Sequence, residues 1–231
     1  MPAVMAKTIV VGGFGPGIAT AMAQKFGAEG FTIALVGRSE ERLADGVKTL
    51  GEKGITATAF PADLGSPAAV KALVGKVRDK LGPISVLHWN AYSNAASDLL
   101  VADVAAVHAT LDVAVTGLLT AVQEALPDLR QQKGAVLVTN GGLLFNDPNI
   151  DERAAAWNLM GLALGNAAKH KLVGMLSKKL KADGVYIGEV IVTGTVKGSA
   201  FDKGNGTLEA GKVAQKFWEL YSARNEVSAQ V

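Results

Sequence analysis

Six short runs dominated by Val, Ile and Leu, each followed by a longer stretch with helical periodicity, constrain this 231-residue chain more than any other feature. The runs cover residues 8–11, 32–36, 56–60, 85–88, 135–139 and 186–192, and they are mostly unbroken instead of alternating with polar residues. A strand covered by helices on both faces must be apolar on both sides, so this pattern predicts a parallel sheet between helical layers. Helices are expected near residues 18–28, 40–53, 67–81, 103–130, 152–182 and 209–222. Steady alternation of strand and helix gives an α/β fold, doubly wound, with a mostly parallel sheet in three layers. Helix ends carry matching chemistry: Ser39 precedes an acidic first turn, Ser66-Pro67 supplies a cap and a first-turn proline, and Gly82-Pro83 forms a stop. No linker, repeat or change of composition divides the chain, so residues 1–231 are expected to form one domain. The tail, 225–231, fits a short edge strand or a frayed end equally well.

Charge and composition narrow the function. With 23 Lys and Arg against 21 Asp and Glu the formal charge is only +2, which gives no field for a nucleic-acid backbone. The 27 glycines fall at strand ends and turns and form no repeat, and cysteine is absent, removing disulfides, thiolate metal sites and cysteine nucleophiles together. No pair of histidines or acids has metal-ligand spacing. The N-terminus lacks the charged start, long apolar core and cleavage site of a leader, and no run approaches the ~18 residues of a membrane span, so the expectation is a soluble, cytoplasmic protein without membrane contact.

The segment Gly12-Gly13-Phe14-Gly15-Pro16-Gly17-Ile18-Ala19 stands directly after the first strand and opens the first helix. Gly13 would permit the tight turn, Gly17 the approach of backbone to a pyrophosphate, and Ala19 close packing of helix on strand, while the helix N–H groups and dipole meet the negative charge. An ordinary glycine-rich turn is the other reading; the placement in a βαβ unit favours the nucleotide. At the end of the second strand no carboxylate awaits a ribose 2′-hydroxyl. Arg38 stands there, with Ser39 and Arg42 nearby, and a guanidinium suits a 2′-phosphate where an acid would repel it. The cofactor expected is NADP(H); a solvated arginine is the plainer alternative.

These motifs resemble those of the short-chain dehydrogenase/reductase family. The stretch Gly13, Gly15, Gly17, Ile18 resembles its glycine motif, with Ala19 replacing the last glycine. Asp63-Leu64 after the third strand resembles its adenine-contacting pair. Asn90-Ala91 after the fourth resembles the middle of Asn-Asn-Ala-Gly, flanked here by Trp89 and Tyr92. Thr193-Gly194, followed by Val196, resembles the turn that lies near the nicotinamide. The family transfers hydride between carbonyls and alcohols using Asn, Ser and a Tyr-x-x-x-Lys pair, in which the lysine lowers the tyrosine pKa. This sequence contains no Tyr-x-x-x-Lys. Gapless alignment places Ala114, Gly141, Leu162 and Asn166 at the asparagine, serine, tyrosine and lysine positions, a divergent member lacking all four.

Tyr92 and Asn140 are the candidate replacements, one as proton donor or stacking ring, the other as oxyanion donor; a packed wall and a satisfied turn asparagine are their bland readings. Asn166 can still bind ribose through its amide. Asn146 and Asp147 read as turn chemistry, His88 as a buried neutral ring, and His108 and His170 as solvated. The resemblance implies NADP(H)-dependent reduction of a small carbonyl or unsaturated compound, with an unidentified small-molecule substrate and a homodimer or homotetramer formed through the fourth and fifth predicted helices. A catalytically silent NADP(H) sensor or partner-binding protein is the alternative.

Overall fold

The computed structural model describes residues 7–231. Seven parallel strands form one sheet in the order β3-β2-β1-β4-β5-β6-β7. They are β1 (Thr8–Gly12), β2 (Thr32–Gly37), β3 (Ala57–Pro61), β4 (Ile84–Trp89), β5 (Ala135–Gly141), β6 (Tyr186–Val192) and β7 (Ser228–Gln230). The helices are α1 (Ile18–Ala28), α2 (Glu40–Gly51), α3 (Pro67–Leu81), α4 (Val104–Leu111), α5 (Gly117–Gln132), α6 (Pro148–Ala156), α7 (Met160–Leu180) and α8 (Ala210–Ala223). Two apolar clusters fill the two faces of the sheet. One joins β1, β4 and β5 residues such as Val10, Leu87 and Val136 to α3, α5 and α7; the other joins Ile9, Val86 and Leu137 to α1, α2 and α8. Neighbouring strand residues thus enter opposite cores, which is why the runs are apolar throughout.

The predicted caps form. Ser39 Oγ accepts from Arg42 N and Ser66 Oγ from Ala69 N, with Pro67 in the first turn, and Gly82 ends α3 at φ +83°. The tail resolves its ambiguity by pairing: Ser228 lies opposite Glu189, so 228–230 is an edge strand.

Three expectations are corrected. The helix expected over 152–182 is two helices. Asn158 takes a left-handed conformation at φ +53°, Leu159 N donates to Ala154 O and Asn158 N to Ala155 O, the hydrogen-bond pair that closes a helix end. Apolar periodicity runs through this break and hides it. The helix expected over 103–130 is α4 and α5 joined through a π-helical turn at Asp112–Thr116, where Trp89 Nε1 donates to the Val113 carbonyl. Lastly, by length and composition the stretch Val104–Gln132 is apolar enough to cross a membrane, contrary to the expectation that no run is. Its inner face packs on β4 and α3 through Leu118, Ala121, Val122 and Ala125, but only 28% of its most apolar window is buried.

Candidate functional site

Two groups of residues meet at the carboxyl ends of β1, β4, β5 and β6. The first surrounds the glycine loop. Gly13 N and Phe14 N both donate to Val36 O, folding the loop back over β2, and Asn90 Nδ2 donates to Gly13 O at 3.3 Å. Gly13 has φ +81°, and a Cβ there would stand 2.7 Å from both Cα and N of Ala91. Gly17 has φ +87°, with Ser199 and Val196 closing over it. Asn90, Ala91 and Val196 therefore shape this loop from outside, and Leu64, buried, supports it from below against Gly12. Gly15 O accepts from Thr20 Oγ1, which fixes the first turn of α1 behind Ile18. That helix begins with no side-chain cap and no acidic residue in its first turn. Its free N–H groups and dipole form a cradle for an anion, and the positive-φ glycines let the anion reach the backbone, so these residues fit a dinucleotide diphosphate.

Arg38 is exposed at the end of β2 and makes no ion pair or side-chain hydrogen bond with any described residue. Ser39 accepts the α2 cap bond, which leaves its hydroxyl proton free to donate. Arg42 Nη1 lies 3.9 Å from where a Gly15 Cβ would be. Asp63 Oδ1 accepts from Gly65 N in its own turn. Tyr92 stacks on Phe201 at 5.3 Å between ring centroids, and burial raises its pKa against the opposing Arg42 charge. Its ring thus packs on the loop that follows β6 and feels the Arg42 charge from α2. This is the setting of a half-open stacking ring.

The second group lies under the end of β5. A Cβ on Gly141 would stand 2.8 Å from Asn166 Nδ2, so the Asn166 amide fills the space that a side chain at 141 would take. Ala114, in the π-helical turn, faces Gly165 one residue before Asn166, and Leu162 lies one turn earlier on the same helix. The four aligned positions do converge, but Asn166 brings them their one polar side chain. Asn140 is 2% exposed; its Nδ2 donates to Asn166 O and Glu189 Oε1, and its Oδ1 accepts from Gly141 N. Both amide hydrogens are thus engaged, leaving no donor for an oxyanion. Asn146 is exposed, and Asp147 caps α6 through Asn149 N and Ile150 N.

Behind this group is a buried polar cluster that sequence reasoning missed. Glu189 is fully buried in β6 and accepts from Asn140, from Ser228 Oγ at 2.9 Å and from His170 Nδ1 at 2.6 Å. His170, expected to be solvated, is instead anchored on one edge and open on the other. Lys169 is 3% exposed on the inner face of α7 and forms neither ion pair nor hydrogen bond with any described residue; burial lowers its pKa to about 8 against the pull of Glu189. His88 Nε2 lies 3.0 Å from Thr139 Oγ1, its Nδ1 has no partner, and burial, aided by the Lys169 charge, lowers its pKa to about 3. The available signal was Glu189 itself, a carboxylate inside the apolar run Tyr-Ile-Gly-Glu-Val-Ile-Val, since a buried charge demands partners. Among the described residues no cluster of His, Asp and Glu could hold a metal.

A sequence model of the family described as short chain dehydrogenase matches residues 7–146. An uncharacterised oxidoreductase of Staphylococcus saprophyticus is 27% identical over 183 residues, 78% of this chain and 75% of the relative. A meso-2,3-butanediol dehydrogenase of Serratia marcescens is 27% identical over 80% of this chain and 69% of its own length. The structure of L-sorbose reductase from Gluconobacter frateurii, complexed with NADPH and L-sorbose, is similar in fold, with TM-score 0.86 and 20% identity over 98% of this chain and 95% of that one.

Proposed function

The chain belongs to the short chain dehydrogenase family, and from that premise we propose that it binds NADP(H) along the glycine loop and uses it to reduce a small carbonyl or other unsaturated compound. The observation that carries the cofactor assignment is the uncapped α1 N-terminus behind Gly13 and Gly17, with the unpaired Arg38 at the end of β2. In this reading the α1 N–H groups hold the diphosphate, Arg38 and Ser39 take the 2′-phosphate, Asp63 and Leu64 border the adenine, and Tyr92 with Phe201 walls the adenosine side. Asn166 binds the nicotinamide ribose, and the turn at Val196 borders the ring. NADPH complexed with the similarly folded L-sorbose reductase agrees with this choice.

Bound NADPH would supply a hydride. The protein's part is to hold an acceptor in contact with the cofactor against the Gly141–Asn166 surface, an effect worth ~7–11 kcal/mol of barrier. A positioned acid is worth roughly 3–5 kcal/mol, so loss of the aligned tyrosine slows reduction without forbidding it. The same reading assigns the exposed apolar residues Val104, Leu164 and Met175 of α4 and α7 to contact with a second copy of the chain. The test is a thermal shift with NADPH and NADH, followed by NADPH oxidation against aldehydes, ketones, quinones and imines. A shift larger for NADPH together with turnover supports the reading. A shift without turnover favours the second reading, a silent NADP(H)-binding sensor, whose motivating observation is that Ala114, Gly141 and Leu162 offer no acid.

A further inference from the structure

The segments that follow β4 and β5 differ from the rest of the chain in charge. No lysine or arginine occurs between Lys80 and Arg130, or from Gly134 to Glu152, so both segments reach the site without a cation. They carry carboxylates instead, Asp98, Asp103 and Asp147, each accepting a backbone N–H of its own turn. An anionic acceptor, carboxylate or phosphate ester, would meet repulsion there. The same segments expose large apolar side chains: Leu100, Val101 and Trp157 are 89%, 81% and 62% exposed. Their two stretches are tied together, since Met160 N donates to Ser97 O and Gly161 N to Ala96 O, while Thr110 and Ala114 stand against Gly165 one turn further along α7. An uncharged, apolar rim thus borders the turn of α7 that carries Leu162 and Asn166. The floor inside it has donors spent on the protein itself. Asn140 has both amide hydrogens engaged, the Thr110 hydroxyl donates to Ala106 O and the Trp89 indole to Val113 O. The Asn166 amide is unspent: the residue is 5% exposed, its side chain makes no hydrogen bond with any described residue, and Nδ2 lies 2.8 Å from where a Gly141 Cβ would be.

We propose that the acceptor reduced at this site is a neutral, apolar quinone, seated within the rim of Leu100, Val101 and Trp157 with one oxygen on the Asn166 amide. The proposal rests on the NADP(H) reductase reading above. An amide N–H stabilises a negative oxygen without giving up its proton, so the acceptor must be able to leave as an anion. A saturated ketone would become an alkoxide, about as basic as hydroxide, the conjugate base of water with its pKa of about 15.7. A quinone becomes a hydroquinone monoanion, a phenolate like that of tyrosine, whose pKa is about 10. Its need for a proton is smaller by roughly six powers of ten. In the reaction the quinone gains a hydride, two electrons with one proton, at the expense of NADPH, which ends as NADP⁺. The Asn166 N–H holds the monoanion until it departs, and water supplies the second proton. One NADPH and one solvent proton are consumed per hydroquinone formed. Asn166 has two N–H groups and a carbonyl oxygen, enough to hold the nicotinamide ribose and the acceptor together.

The experiment has one arm that needs no turnover. With NADP⁺ present, menadione, a methylated naphthoquinone, is titrated while tryptophan fluorescence is followed; the chain has no cysteine for the quinone to alkylate. Saturable quenching is expected, reduced in Trp157→Phe and shifted at least about ten-fold to higher quinone in the double variant Leu100→Asp/Val101→Asp, whose changes lie at exposed positions. Decalone, a saturated ketone on the same two-ring skeleton, is expected to compete. The second arm follows NADPH oxidation. Menadione is expected to be reduced well above the rate without protein, and decalone, although bound, at least about 1000-fold more slowly, as an acceptor that needs a positioned acid. Absence of saturable quenching, quenching unmoved by the double variant, or decalone turned over within about ten-fold of menadione would each overturn the proposal. Reduction of decalone without reduction of menadione would overturn the substrate class and leave the reductase reading standing. Absence of NADPH binding would instead overturn the cofactor reading on which it rests.

Discussion

Gly13 combines two demands that no other residue meets: φ of +81°, and contact so close that a Cβ would enter the backbone of Ala91. Gly30 has a similar φ, +85°, with nothing within 4 Å. Strain alone should make Gly30→Ala cost about 1 kcal/mol, while Gly13→Ala adds a backbone clash and should cost about 2–4 kcal/mol by urea unfolding. At Arg38 the issue is charge and not shape. Replacing a free guanidinium with a carboxylate removes a charge-assisted bond and adds repulsion. Arg38→Glu is therefore expected to weaken NADPH binding about 100-fold, roughly 3 kcal/mol, and NADH only a few-fold, by calorimetry. Equal losses would remove the phosphate from the argument. Asn140 shows how little residue type alone decides: as a sequence it could donate to substrate, but folded it is spent on Glu189 and the α7 backbone.

Among the elements, α3, α5 and the start of β4 are joined by one buried carboxylate. Asp128 on α5 accepts from Arg78 Nε at 3.0 and 2.9 Å and from Ile84 N at 3.3 Å. Asp128→Ala would leave the Ile84 N–H without a partner in the core. Because the Arg78 side chain is 38% exposed and can turn to water, the expected loss is about 2 kcal/mol, below that of a wholly buried pair, with the urea m-value unchanged. The α6–α7 break belongs to this scale too. Met160 N and Gly161 N donate to Ser97 O and Ala96 O, so α7 starts where the loop after β4 offers carbonyls. Periodicity, a property of one segment, carries no trace of that partner, whereas Ser39 and Ser66 cap their own helices and were legible for that reason.

For the molecule as a whole, the interior holds His88 and Lys169 in environments that penalise charge. His88 titrates near 6.5 when unfolded and about 3 when folded, so the unfolded state binds more protons between those values and stability falls as pH drops through that window. Lys169 falls from 10.5 to about 8; between these the unfolded chain again holds the extra proton, and stability rises with pH. Each limb has a slope of at most on the order of 1 kcal/mol per pH unit. Urea unfolding across pH should show the upper limb in wild type and its disappearance in Lys169→Met; a flat profile in both would mean that the amine is solvated when folded.

The amino acid sequence by itself determined the alternation of strands and helices, the parallel sheet, the glycine cradle and the position of Arg38, because each is set by residues a few places apart. Turn dihedrals, caps and apolar runs are local physics. Tertiary structure alone decided that the helix over 152–182 divides, that Asn140 faces inward, and that Asn140, His170 and Ser228 gather around the buried Glu189 carboxylate. Those outcomes depend on α7 packing against β5 and β6, where burial and the charge of a residue 20 places away set what a side chain can do, and neither quantity exists until the chain has folded.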